Sequence, residues 1–169
     1  LAEAAQTVGA AFLHISTDYV FDGKGEAPYR ETDPTAAQSV YGQTKLDGET
    51  AALAACPRTI ILRTAWVFGE HGGNFVKTML RLGRERDTLG IVADQHGAPT
   101  YAGDIAAALI QIAQHIAAEQ PTEYGVYHFS GSPYTSWYGF ASEIFRRAAA
   151  QNLLPRIPTL NAIATADYP

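Results

Sequence analysis

A hydroxyl, a phenol and an amine occur in this sequence at a spacing that suits chemistry on a carbonyl group. Thr17 lies 24 residues before Tyr41, and Lys45 follows Tyr41 by four residues. An unperturbed tyrosine ionises near pH ~10, so it donates its proton readily only where the phenolate is stabilised. A lysine four residues along a helix lies on the same face and favours the phenolate. Tyr41 is therefore predicted to be a general acid tuned by Lys45, with Thr17 hydrogen-bonding the developing alkoxide.

The Tyr–Lys spacing alone is a weak signal. With nine tyrosines and three lysines among 169 residues, about one such chain in six contains the spacing by chance. A contact on a solvated helix face is the alternative interpretation of the isolated pair. The surrounding sequence is needed to distinguish a catalytic pair from a surface contact.

Composition excludes several classes of protein. A chain of 169 residues suits one domain with a real core, and a net charge of −5 argues against a nucleic-acid surface. Cys56 is the only cysteine, which excludes an internal disulfide and indicates a reducing compartment. The sequence shows no signal peptide and no apolar run near the ~20 residues that span a bilayer. We therefore expect a cytoplasmic protein without a membrane partner.

The elements that must position these residues alternate between strand and helix. This alternation predicts an α/β fold with βαβ crossovers and a parallel sheet, as in part of a doubly wound, Rossmann-like domain. Residues 153–169 are expected to be mostly irregular, and the apolar stripe of helix 101–118 is expected to pack in the core. The stretch 97–100 is expected either to cap a helix through Thr100 or to form a substrate loop. The predicted strands are 11–16, 59–63, 89–92 and 125–129, and the predicted helices are 39–55, 74–86, 101–118 and 136–150.

The glycine-rich turn that binds a pyrophosphate in doubly wound folds has no counterpart in this sequence. The cluster of residues 69–73 follows a strand but lacks the required spacing. We expect that turn upstream of residue 1, and we expect residues 1–169 alone not to reduce a substrate at a useful rate. A sheet without its first strands has an exposed edge, which favours self-association and predicts a homo-oligomer.

Several ordered segments together resemble one family. The sequence is similar to the extended short-chain dehydrogenase/reductase superfamily over essentially its whole length. The matching segments lie at 16–21 (Ser-Thr-Asp-Tyr-Val-Phe), 31–33, 41–46, 63–67, 74–82, 94–100, 127–129, 160–163 and 168–169. Each segment is unspecific by itself, whereas their combination and order are highly specific.

The resemblance implies a reaction and a set of roles. It implies NAD(P)H-dependent reduction of the C4 ketone of dTDP-4-dehydro-β-L-rhamnose to dTDP-L-rhamnose, with NADPH and NADH both left open. Tyr41 would donate the proton, while Tyr41, Lys45 and Ser16 would contact the cofactor. Substrate contacts are implied for Thr17, Asp18, Trp66 and Asn74. Asp18 would also adjust the pH response of the reaction.

The resemblance also implies an organisation of the chain. Residues 1–70 would form the C-terminal half of the Rossmann-like domain with the catalytic groups. Residues 71–169 would supply the substrate-binding part and the remaining sheet elements. Some relatives use Mg²⁺, but the sequence shows no cluster of metal ligands, and its histidines lack paired spacing.

Alternatives remain for individual residues and for the function. Asp18 also suits a turn, Trp66 a core position and Asn74 a helix cap. Tyr134 and Trp137 are candidate covers for the sugar–nucleotide pocket. Another nucleotide-sugar epimerase or dehydratase is the main competing enzyme. A dehydratase would have an acidic pair after Thr17, whereas Tyr19 follows Asp18. A non-catalytic regulatory homologue is the other alternative, which the retention of all three chemical groups disfavours.

Overall fold

The computed structural model describes residues 1–25 and 27–168, so Pro169 of the final matching segment lies outside the described residues. The chain divides into two compact units, each built from two stretches of sequence. The first contains residues 1–65 and 104–129, and the second contains residues 66–103 and 130–169. The functional division at residue 70 expected from the sequence stays a prediction.

Helices and strands alternate along most of the chain. In chain order the elements are α1 (Ala2–Thr7), β1 (Phe12–Thr17), α2 (Val40–Ala55), β2 (Thr59–Thr64), β3 (Val67–Phe68), α3 (Phe75–Glu85), β4 (Thr88–Val92), β5 (His96–Gly97), β6 (Thr100–Tyr101), α4 (Ala102–Ala117), β7 (Gly125–His128), β8 (Thr135–Ser136), α5 (Trp137–Ala150) and β9 (Thr159–Ile163). Short 3₁₀ turns follow β1 at Asp18–Val20 and β9 at Thr165–Asp167.

The first unit is a parallel sheet in the order β1-β2-β7. The helix α2 packs on the face of β2 that carries Thr59 and Arg63, where Thr59 donates a hydrogen bond to the Cys56 carbonyl at 2.6 Å and Arg63 pairs with Glu49. On the other face, Ile60 of β2 lines a cavity together with residues of α4. All six residues of β2 are buried because both faces of the strand are covered.

The apolar stripe of α4 is less buried than its periodicity predicts. Ile105 is buried and Leu109 and Ile112 are half-buried, but Ala106 and Ala113 are exposed. The prediction of a core-packed stripe was therefore wrong for much of the helix. Periodicity identifies which face is apolar, but the depth of burial depends on the layer that covers it.

The second unit has a mixed core of helices and short strand pairs. The pairs β3–β6 and β4–β9 are parallel, and β5–β8 is antiparallel. The helix α5 packs against both α3 and β4. The buried core consists of Met79, Leu89, Ile91, Ala141, Ile144, Phe145, Ala148 and Leu154.

Two predictions for this unit need correction. The segment 153–169, expected to be mostly irregular, contains the strand β9, which pairs with all five residues of β4. Thr100 is not a helix cap, because it pairs with Val67 in β3–β6 and its hydroxyl donates to the Ala98 carbonyl at 3.0 Å. Both errors have one cause, because these strands pair with segments distant in sequence. Local propensity does not predict such pairing.

The predicted α/β class with parallel strands is confirmed. Side-chain caps fix the starts of three helices, since Ser39, Asn74 and Ser136 each accept a hydrogen bond from the backbone three residues on. None of the helices in the described ranges combines the length and apolar character that crossing a membrane requires.

Candidate functional site

Thr17 lies at the C-terminal end of β1, the end of a parallel sheet where ligands bind in open α/β folds. Its hydroxyl donates to Asp18 Oδ1 at 3.1 Å and accepts a hydrogen bond from the Tyr19 amide at 3.3 Å. Thr64 pairs with Thr17 in register, and its buried Oγ1 has no hydrogen-bond partner among the described residues. Two threonines therefore lie side by side at this end of the sheet.

The first turn of α2 presents Tyr41 to solvent. Its side chain is 57% exposed, and its ring meets the ring of Tyr19 edge-on with 5.8 Å between centroids. A Cβ atom at Gly42 would overlap the Tyr19 carbonyl oxygen. The glycine after Tyr41 therefore allows α2 to lie directly against the 3₁₀ turn that follows Thr17.

Lys45 connects the same helix to β1. Its Nζ donates a hydrogen bond to the Ile15 carbonyl at 2.7 Å, two residues before Thr17. The structure therefore brings Thr17, Asp18, Tyr41 and Lys45 into one unit through direct contacts between α2, β1 and the turn. Burial raises the pKa of Asp18 above its ordinary value of 3.8, and the hydrogen bond from Thr17 opposes that rise.

Ser16, predicted to contact a cofactor, is buried on β1 opposite Arg63. Its Oγ makes no hydrogen bond to any described residue. An unpaired hydroxyl at a strand end is compatible with a ligand contact, because buried polar groups are almost always satisfied. The assignment stays a prediction.

Trp66 belongs to the second unit and has an unusual backbone. Its φ of 48° lies in the left-handed region, which a bulky residue adopts only when its surroundings impose it. Its ring stacks on Trp137 with 3.5 Å between centroids and 9° between planes. A side chain at Gly97 would overlap this ring. The indole is therefore held in one position, which suits a pocket wall as well as core packing.

Asn74 is the N-cap of α3. Its Oδ1 accepts a hydrogen bond from the Lys77 amide at 3.2 Å, and its Nδ2 donates to the Gly69 carbonyl at 2.7 Å. The capping interpretation is thus observed, while the substrate contact stays a prediction. Both polar atoms of the amide already have partners within this unit.

Sequence reasoning gave no role to Gly42, Glu49 or Trp137 as supports of the site. The position of Glu49, four residues after Lys45, was a usable signal, because three residues at four-residue intervals share one helix face. The contact between Gly42 and Tyr19 has no such signal. Within the described ranges, no group of three or more His, Cys, Asp or Glu side chains is gathered in one place.

Two curated relatives resemble this chain over its whole length. A dTDP-4-dehydrorhamnose reductase of Aggregatibacter actinomycetemcomitans is 57% identical over all of this chain, which covers 58% of that protein, and the reductase of Escherichia coli K12 is 44% identical, with 56% covered. The chain thus spans just over half the length of these relatives.

Two solved structures resemble the chain in fold. A dTDP-4-dehydrorhamnose reductase from Clostridium acetobutylicum superposes with a TM-score of 0.88 at 40% identity, covering 100% of this chain and 56% of that one. The reductase from Bacillus anthracis, solved in complex with NADP, gives 0.86 at 36% identity, with 98% and 55% covered. The family described as the RmlD substrate binding domain matches residues 1–169. The chain therefore belongs to the RmlD substrate binding domain family.

Proposed function

We propose that the protein containing this chain reduces the C4 ketone of dTDP-4-dehydro-β-L-rhamnose to dTDP-L-rhamnose. The observation that carries the proposal is the meeting of α2 with the end of β1. There the exposed phenol of Tyr41 and the Lys45 ammonium lie on one helix face, and that face contacts the strand ending in Thr17. Relatives sharing up to 57% identity bear the name of this reductase.

The side chains have separate tasks in this reaction. Tyr41 donates the proton to the carbonyl oxygen, and the Lys45 ammonium stabilises the resulting phenolate. The Thr17 hydroxyl hydrogen-bonds the same oxygen as negative charge develops on it. NADPH or NADH, when bound, supplies the hydride. Lys45, Tyr41 and Ser16 would hold its nicotinamide end.

Asp18 controls the direction of the hydrogen bond to Thr17. As a carboxylate it accepts the Thr17 proton and so competes with a substrate oxygen for this donor. As a neutral acid it can instead donate to Thr17 and leave the threonine proton free. Since burial raises the Asp18 pKa, the neutral form persists to higher pH than it would in an exposed aspartate. Asp18 is therefore proposed to shape the pH dependence of turnover.

The second unit is proposed to contribute the sugar–nucleotide contacts. Trp66 would form one wall of the pocket, with its indole fixed by Trp137. Asn74 at the start of α3 would lie near the nucleotide sugar, because helix N-termini favour anionic groups. A dTDP-sugar partner, a homo-oligomer and a cytoplasmic location complete the proposal.

The test uses the full-length protein. We expect NADPH oxidation, followed at 340 nm, that depends on the dTDP-4-keto sugar. Tyr41→Phe should lower kcat about 10²- to 10⁴-fold, because it removes the proton donor. Tyr124→Phe is the matched control and should retain kcat. No oxidation by the wild-type protein would refute the proposed reaction, and a fully active Tyr41→Phe variant would refute the role of Tyr41.

A further inference from the structure

A buried ion pair joins α2 to β2 in the first unit. The Arg63 Nε atom lies 3.0 and 3.2 Å from the two carboxylate oxygens of Glu49, and Arg63 Nη2 lies 2.6 Å from Glu49 Oε2. Glu49 is 2% exposed and Arg63 is 6% exposed. A planar guanidinium with two contacts to a carboxylate has a defined orientation, so the pair fixes geometry as well as charge.

The position of Glu49 on α2 relates the pair to the candidate site. Tyr41, Lys45 and Glu49 follow one another at four-residue intervals and therefore lie on one face over successive turns. Lys45 contacts β1 through the Ile15 carbonyl, and Glu49 contacts β2 through Arg63. The helix face that bears the phenol is thus attached to two neighbouring strands.

Arg63 also contacts the chain around Thr17. It is the register partner of Ser16, the residue before Thr17. Its guanidinium carbon lies 5.1 Å from the ring centroid of Phe21, which follows the 3₁₀ turn. One side chain therefore contacts both α2, which carries the proposed proton donor, and the segment that follows Thr17, which carries the proposed hydroxyl donor.

Stability is a poor explanation for this pair. Removing two charges from water is costly, and apolar residues of similar volume often replace such a pair without loss of stability. Arg63 Nη1 adds to the cost, because it is buried and has no hydrogen-bond partner among the described residues. Directional hydrogen bonds instead specify one register of α2 on the sheet, a role that buried polar pairs have in some proteins.

We propose that Glu49 and Arg63 are positioning residues that fix α2 along β2, and with it Tyr41 and Lys45 relative to Thr17. The inference rests on the proposed reductase function. Neither residue touches the reacting atoms in this proposal. Their effect is transmitted through the helix, and it should change kcat more than KM because it displaces the proton donor.

The main experiment replaces the charged pair with an apolar pair in the full-length protein. The double variant Glu49→Leu/Arg63→Met should keep a thermal midpoint near that of the wild type. Its kcat should fall about 10- to 100-fold, with KM for the keto sugar changed less than about threefold. A folded double variant with wild-type kcat would overturn the proposal, because the pair would then be merely structural.

A second variant covers the case in which the double variant does not fold. Arg63→Lys retains the positive charge but loses the two-point contact, so it should lower kcat about 10-fold in a folded protein. Asp47→Asn is the matched control on the exposed side of α2 and should retain kcat. Wild-type kcat in folded Arg63→Lys would contradict the proposal.

Hydrogen exchange separates this inference from the proposed reaction. If the wild-type protein does not oxidise NADPH with the keto sugar, the proposed reaction fails. The pair is then tested by the amides of residues 42–49. Faster exchange there in Arg63→Lys, but not in Asp47→Asn, supports the positioning role, and unchanged exchange in both variants overturns it.

Discussion

The helices α2 and α5 are held in their units by different contacts. The buried residues of α2 are Gly42, Glu49 and Ala52, of which Gly42 makes a close backbone approach, Glu49 forms an ion pair and Ala52 joins a small apolar cluster. The buried face of α5 is apolar and centres on Ile144 and Phe145. The charged groups of α5 lie at the surface instead.

The ion pairs of the two helices show the same contrast. Glu143 on α5 contacts Arg146 and Arg147, all partly exposed, and these arginines lower the Glu143 pKa to about 2. Such surface pairs contribute little to stability. The Glu49–Arg63 pair is almost fully buried. The helix that carries the proposed catalytic groups is fixed by directional contacts, and the helix in the other unit by apolar burial.

The largest change in stability is expected from Phe145→Ala in α5. Phe145 is 1% exposed and lies in the core of the second unit. Truncating a buried phenylalanine leaves a cavity and should lower the free energy of unfolding by about 3–5 kcal/mol. Urea denaturation measures the loss, with Leu153→Ala, at a 47% exposed position, as control. A loss under roughly 1 kcal/mol would contradict apolar burial as the main attachment of α5.

A smaller effect, mainly on activity, is expected from Gly42→Ala in α2. The added methyl group would overlap the Tyr19 carbonyl and move the start of the helix. The kcat for NADPH oxidation should fall about 10- to 100-fold, because Tyr41 is displaced. Gly48→Ala is the same substitution in the same helix with open space around it, and it should stabilise the helix by up to ~1 kcal/mol. Equal kcat values in the two variants would show that the close approach of Gly42 to Tyr19 does not position Tyr41.

The smallest effect is expected from Asp18→Asn at neutral pH. A pKa raised by burial means that the ionised carboxylate destabilises the fold, so the variant should have the higher thermal midpoint at pH 7. The difference should shrink as the pH falls through the raised pKa towards 3.8.

Asp22→Asn provides the control of opposite sign. Tyr29 donates a hydrogen bond to Asp22 and lowers its pKa, so this variant should be less stable than the wild type above pH 3.8. The loss should vanish as the pH falls through the lowered pKa. Thermal midpoints measured from pH 7 to below pH 3.8 check the direction of the stability change in each variant. The same trend with pH in both variants would contradict the opposite pKa shifts of Asp18 and Asp22.

Much of the fold was predictable because its signals are local. Alternating apolar runs and helix periods located the main elements to within about two residues. The capping residues Ser39, Asn74 and Ser136 precede the helices that they cap. The pairing of β9 with β4 was missed, because the two strands are about 70 residues apart and β9 follows a proline-rich segment.

The candidate site was predictable to the level of residue types. Thr17, Tyr41 and Lys45 were selected from their chemistry and spacing, and Asp18 from the family resemblance. The structure places all four in one unit. The supports of the site were missed, because each is a contact across the sequence. Arg63 pairs with Glu49 from a different element, and Trp137 stacks on Trp66 from 71 residues away. Neither pairing leaves a periodic pattern.

The sequence by itself determined the chemistry available to this protein and the elements that carry it. A phenol and an amine four residues apart on a helix share a face whatever the surrounding fold, because the helix repeat is local. Only the tertiary structure decided how that face meets β1 and β2. The approach of Gly42 to Tyr19, the bond from Lys45 to Ile15 and the Glu49–Arg63 pair exist only once α2 packs on the sheet. Packing of this kind depends on volume and on the pairing of buried polar groups, which a linear pattern does not specify.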